Sequence, residues 1–292
     1  MTPKKIAILT DSCADLRPEF VEEHHVFVVP LRIRCCDGEY RDGVDIHSEG
    51  VYARLKDDVL PQTSLPSAAD MSDTFQQIAE EGYDGVIAVM LSSGLSGTYN
   101  LTRLMGEEFE EAHAGRIAVR VYDSLLAAIA QGAVVMQLAD DMERGMDWET
   151  LTERRVPYLL KNTHAYFSVN TLEYLQKGGR IGTVAAMAGT LMQIRPILSF
   201  TEDGRLTSVA KVRGRNRLLQ KLVEMIEKDC GDRSRYNVVV VHGGAPRDRE
   251  DLRPIVMQKM PDYDHLWEGE IGGTLSVHIG DGIVGIVVQA LD

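Results

Sequence analysis

Two α/β units, the first built on a mostly parallel sheet, are what this sequence predicts. Three observations carry that expectation. The 292 residues exceed what one core usually needs and suit two units of ordinary size. Short, continuous apolar runs (KIAILT, GVIAVM, RIAVRV) alternate with helical-looking segments through the first half. Runs of that kind suit strands covered on both faces, as in a parallel sheet. From about residue 158 the alternation resumes with HAYFSV, PILSF, RLTSVAKV and NVVVVHGG, which divides the chain into units 1–157 and 158–292.

The elements follow in order. KIAILT is the first strand, and Leu16 to Glu23 a short helix. HVFVVPLRI is a second strand region, with Asp37-Gly38 as a hairpin-type turn. Residues 47–57 read as helix. PQTSLPS, residues 61–67, is a loop with two prolines, and Ser67 can cap a helix that runs to about Glu81. GVIAVM is a buried strand, LTRLMGEEFEEA a helix, RIAVRV a strand, and LLAAIAQGAVVMQL (125–138) an alanine-rich helix. In the second half TLEYLQKG reads as a helix ending at Gly178, and residues 182–193 as another. Asp203-Gly204 is a turn, and RLLQKLVEMIEKD has the apolar spacing of an amphipathic helix. TLSVHIGDGIVGIVVQAL reads as two extended pieces around glycines.

Composition narrows the function. A net charge of −13 argues against a nucleic-acid partner, because phosphate binding needs clustered cations. The basic stretch KVRGRNR (211–217) is a local exception; it suits either a solvated strand-to-helix corner or a docking patch for an acidic surface. No apolar run reaches the length of a membrane span. The opening MTPKKIAILTDS lacks a long apolar core, so the expected location is the cytoplasm. Cys13, Cys35, Cys36 and Cys230 fit neither a zinc pattern nor a C-x-x-C pair, and no metal site is expected.

Hydroxyl-rich loops stand where strands become helices: TDSCADL, PQTSLPS, LSSGLSGTY and YDSLLA. Helix N-termini carry unpaired N–H groups and partial positive charge. Hydroxyls add donors, and glycine permits close backbone approach. Such loops suit a small anionic group, although a single serine can equally serve as a cap. His278, in SVHIGDG, is either a core histidine or a further donor to that anion. GDGIVG (280–285) has no helix after it to meet a pyrophosphate, and GGRIG (178–182) lacks the Lys-[Ser/Thr] ending of a P-loop. Gly94-Leu95-Ser96-Gly97-Thr98 lacks the last glycine of a nucleophile elbow.

Taken together, TDSCADL, VVPL, PQTSLPS, LSSGLSGTY, YDS, LEYLQKGGRIG, MQIRPIL, DGRLTSVAKVR and HIGDGIVG resemble the DegV family over nearly the whole chain. The resemblance implies two α/β domains, the second with a mixed sheet, and a long-chain fatty acid bound between them. It also implies a non-catalytic role: presenting the carboxylate to a separate ATP-dependent fatty-acid kinase subunit, which makes an acyl phosphate for phospholipid synthesis. No cofactor is implied. Carried over by position, the carboxylate site falls on Thr63, Ser96 and His278, with Ser64, Gly97 and Thr98 beside them. The kinase-docking arginines fall on Arg180 and Arg213, with Arg215 as a further candidate for the cationic rim. This chain departs from the family at Ala128 and Ala130, where a serine and a glycine are common, and at Ile279, where threonine is. Segments 125–138 and 184–192, with Met136, Met187 and Met192, are candidate walls for the acyl chain. Two rival readings stand beside this one: an acyl hydrolase with Ser96 as nucleophile and His278 as base, and a sensor of small anions or phosphometabolites.

Overall fold

The computed structural model describes residues 3–57, 59–187 and 194–292. The first half supplies β1 (Ile6–Asp11), β2 (Phe27–Val29), β3 (Arg32–Cys35), β4 (Gly38–Arg41), β5 (Gln62–Ser64), β6 (Gly85–Met90) and β7 (Ala118–Asp123). The second supplies β8 (Thr163–Ser168), β9 (Ile194–Phe200), β10 (Leu206–Arg213), β11 (Tyr236–Gly243), β12 (His265–Glu270) and β13 (Ile283–Ala290). The first sheet, ordered β2-β1-β6-β7, is parallel throughout. The large second sheet, ordered β10-β9-β8-β13-β11-β12, is mixed: only β11 and β12 run parallel. A small antiparallel sheet, β4-β3-β5, stands apart; its hairpin turns at Cys36-Asp37, next to Gly38.

Burial explains the layering. GVIAVM of β6 is buried at every position, as are β11 and β13. Helices Ala68–Glu80 and Thr98–Ala112 cover one face of the parallel sheet through Met71, Phe75 and Ile78. Ser67 caps the first of these, accepting from Asp70 N at 3.0 Å. Helices Arg215–Cys230 and Pro246–Lys259 cover the outer face of the mixed sheet. Between the sheets runs the helix Ile129–Glu143. It is apolar almost all round because it is buried from both sides.

Two sequence readings need correction. TLSVHI alternates like a strand and is rich in β-branched residues. The chain instead forms a helix, Gly273–Ile279, and only Ile283–Ala290 is extended. Tertiary packing decides it: Val277 enters a core with Ile33 and Val51, while Thr274 and His278, one turn apart, face a common cavity. In segment 182–193, Gly182–Met187 is a 3₁₀ helix, and residues 188–193 lie outside the described residues.

Ala128, at the start of the buried helix, has φ 57° and ψ −156°, a conformation that suits glycine. Strain of this kind costs about 1–3 kcal/mol, against less than about 1 kcal/mol for the extra freedom of an unfolded glycine. Ala128→Gly is therefore expected to raise Tm by about 2–4 °C per kcal/mol gained. An unchanged or lower Tm in a thermal scan would contradict the strain.

Candidate functional site

A cavity of about 290 Å³ lies where the carboxyl ends of β6 and β7 meet the mixed sheet. That is where open α/β sheets place ligands. Its walls are apolar: Ala165 and Phe167 of β8, Phe200 of β9, Val241 of β11, and Ile286 and Val287 of β13. Leu91, just after β6, and Ala127–Ala130, at the start of the buried helix, add to them.

The polar groups are few. Thr63, Ser64, Ser96, Gly97, Arg180 and His278 all line this one cavity. Thr63 sits on β5, paired with Ile33 of β3. The small sheet shares a core with the His278 helix through Val277, which brings the two residues together. Thr63 Oγ1 lies 2.8 Å from His278 Nε2.

Ser96 comes from the LSSGLSGT turn, where its N–H donates to Ser92 O at 3.1 Å. Its Oγ lies 2.9 Å from Thr98 Oγ1 and accepts from Thr98 N at 3.3 Å. Thr98 itself is fully buried; it holds the Ser96 hydroxyl and does not line the cavity. Ser92 of the same loop serves the fold. Ser92 Oγ donates to Gly204 O at 2.8 Å, tying the loop to the second half. A Cβ at Gly94 would stand 2.5 Å from Asp203 O, so only glycine fits there.

Burial, followed by the charge of Arg180, lowers the His278 pKa to about 4. The imidazole is therefore neutral near pH 7. Its Nδ1 is buried and has no hydrogen-bond partner among the described residues. Nε2 is turned to Thr63, and no acid among the described residues orients Nδ1. Arg180 donates to Leu95 O at 3.2 Å and Gly178 O at 2.7 Å, so it is pinned at the cavity mouth with its guanidinium exposed.

Arg213 is not at this mouth. It ends β10, seven residues beyond Leu206 of the cavity wall, hence roughly 20 Å along the strand. There it lines a separate groove with Lys211, Arg217 and Lys221. Arg215 turns away and pairs with Asp248 and Asp251. Among the wall candidates, Ala127–Ala130 do line the cavity, whereas Met136 and Val184 are core residues. Met192 and the Met187 side chain lie outside the described residues. The wall mixes strand, helix and loop residues, which sequence patterning does not separate from ordinary core.

Gly178 was not singled out as a site residue, yet a Cβ there would fall 2.3 Å from His278 Nδ1. The glycine pair in KGGRI is the available signal, and in the sequence it reads as the end of a helix. Among the described residues no group of His, Cys, Asp and Glu could hold a metal ion, and no helix is long and apolar enough to cross a membrane.

Comparison with known proteins agrees with this architecture. A family model for the uncharacterised DegV proteins matches residues 5–291. A DegV domain-containing protein of Clostridium acetobutylicum is 37% identical over 286 residues, 98% of this chain and 99% of its own. A DegV family protein from Thermus thermophilus, described by its fatty acid binding, superposes with a TM-score of 0.90 at 27% identity, covering 99% of this chain and 100% of its own. A stearic acid-binding protein from Eubacterium ventriosum superposes with a TM-score of 0.88 at 28% identity, covering 98% of each chain. A family match over almost every residue, joined to the same two-sheet fold, makes this chain a member of the DegV family.

Proposed function

We propose that this chain binds a long-chain fatty acid, with its tail in the apolar cavity and its carboxylate at Thr63, Ser96 and His278. The observation that carries the reading is the cavity itself: apolar walls with a hydroxyl–imidazole pair and one arginine at the mouth. The fatty acids named for the Thermus and Eubacterium proteins support it. Each buried methylene contributes about 0.8 kcal/mol, so a tail of ~14 methylenes gains roughly 11 kcal/mol before the cost of immobilisation. A small anion would leave those walls bare, so a lipid suits the site better than a phosphometabolite does.

The head group needs donors, because a buried carboxylate without them is costly. Thr63 and Ser96 supply hydroxyls, Ser64 and Gly97 stand beside them, and Thr98 holds Ser96. We assign the chain no catalysis and no cofactor; it presents the carboxylate, in the cytoplasm, to a separate ATP-dependent kinase subunit that forms the acyl phosphate. The division into units 1–157 and 158–292 is part of the proposal and puts the lipid between them.

Arg180 and Arg213 are the proposed docking residues. Since Arg213 is remote from the cavity, Arg213→Ala is expected to slow kinase-dependent phosphorylation while fatty acid Kd stays within about twofold. Equal loss of binding and phosphorylation would give Arg213 a structural role instead. Titration of Thr63→Ala and Ser96→Ala with a long-chain fatty acid tests the head-group site. Unchanged affinity in both would remove it.

A further inference from the structure

TDSCADL contributes nothing to the cavity wall. Its polar groups gather at the far end of the helix that carries His278. Ser12 Oγ donates to Asp42 Oδ2 at 2.9 Å and accepts from Leu31 N at 3.1 Å. Asp42 is 3% exposed and sits just after β4, while Asp15 follows β1. Both carboxylates press on the first turn of Gly273–Ile279. A Cβ at Gly272 would lie 2.5 Å from Asp15 Oδ1, and one at Gly273 would lie 2.6 Å from Asp42 Oδ1. No other residue type allows so close an approach, which explains the glycine pair in IGGT.

The first amides of a helix have no partner inside it and attract negative charge. Burial raises both carboxyl pKa values; Ser12 and the Gly273 and Thr274 amides work against it at Asp42, whereas the neighbouring Asp42 raises Asp15 further and neither Asp15 oxygen has a hydrogen-bond partner among the described residues. Thr274 and His278 are one helical turn apart and both face the cavity, about 6 Å along the axis. A short helix moves as a unit, so a displacement at its start is passed to the 2.8 Å contact between His278 and Thr63.

We infer that Asp15 and Asp42 are positioning residues for His278: they clamp the glycine-led start of its helix and thereby set the imidazole against Thr63. The consequence for lipid affinity rests on the head-group reading above; the placement of the imidazole does not.

The test uses the full chain. The ring nitrogens of His278 are followed by NMR without lipid, and fatty acid Kd is measured separately. Asp42→Ala should shift the His278 ring resonances and weaken binding about tenfold. Asp42→Asn keeps an oxygen acceptor for the amides and should restore both to near wild type. If Asp42→Ala does not fold, Ser12→Ala replaces it, since it removes the hydroxyl that steadies Asp42 and accepts from Leu31 N while leaving both carboxylates in place. Displaced resonances in either folded variant support the clamp. Wild-type resonances in a folded Asp42→Ala, or in Ser12→Ala where it stands in, overturn it. Should the wild type bind no fatty acid at all, the resonances still decide the clamp, and only the proposed function fails.

Discussion

His278→Ala is expected to bind a long-chain fatty acid at least tenfold more weakly than wild type at neutral pH. A hydrogen bond to a charged group contributes about 1.5–3 kcal/mol, and about 1.4 kcal/mol is already tenfold. Binding should also be linked to protons, with a sign that can be worked out. In the free protein, burial and Arg180 lower the His278 pKa to about 4. A carboxylate beside the ring favours the imidazolium and raises that value again. Binding therefore takes up a proton in the window above about pH 4, and affinity rises as pH falls through it. Calorimetry in two buffers of different ionisation heat should detect uptake by wild type in excess of that by His278→Ala. Equal uptake by the two proteins would place the carboxylate elsewhere. In the free protein the linkage runs the other way. A depressed pKa means that the neutral ring stabilises the fold fully above the unfolded value of 6.5, and that this is lost as pH falls toward about 4. The loss amounts to about 3 kcal/mol.

Gly178→Ala is the second large effect. The backbone there, φ −78° and ψ −6°, accepts alanine, and the nearest backbone atom the new Cβ would meet, Tyr174 O, stands 3.1 Å away. The new Cβ, however, would stand 2.3 Å from His278 Nδ1, more than about 1 Å inside ordinary contact. The imidazole must give way and lose its place against Thr63. Fatty acid affinity should drop about tenfold with little change in Tm. On a His278→Ala background the same substitution should cost almost nothing, because the clash partner is gone. Additive losses in that double-mutant cycle would show that Gly178 acts through some other contact.

Much of the fold was legible because its strands are written as apolar runs or as polar–apolar alternation. GVIAVM, NVVVVHGG and RLTSVAKV became β6, β11 and β10, and Ser67 caps the helix it was expected to cap. The helix of His278 was not legible: six alternating residues carry a strand pattern, and the packing of Val277 with Ile33 and Val51, which no local pattern shows, favours the helix. The site divided the same way. Thr63, Ser96 and His278 are separated by 33 and 182 residues yet line one cavity, which no local pattern could show. Within LSSGLSGT, Ser92 reaches Gly204 while Ser96, the serine the resemblance points to, lines the cavity. Arg180 and Arg213 looked like one rim, and the length of β10 holds them apart.

The most direct test is to extract the purified protein with organic solvent and identify what is released by mass spectrometry. The account predicts a long-chain fatty acid at close to one per chain. A protein that releases none, and binds none when it is added, would contradict it.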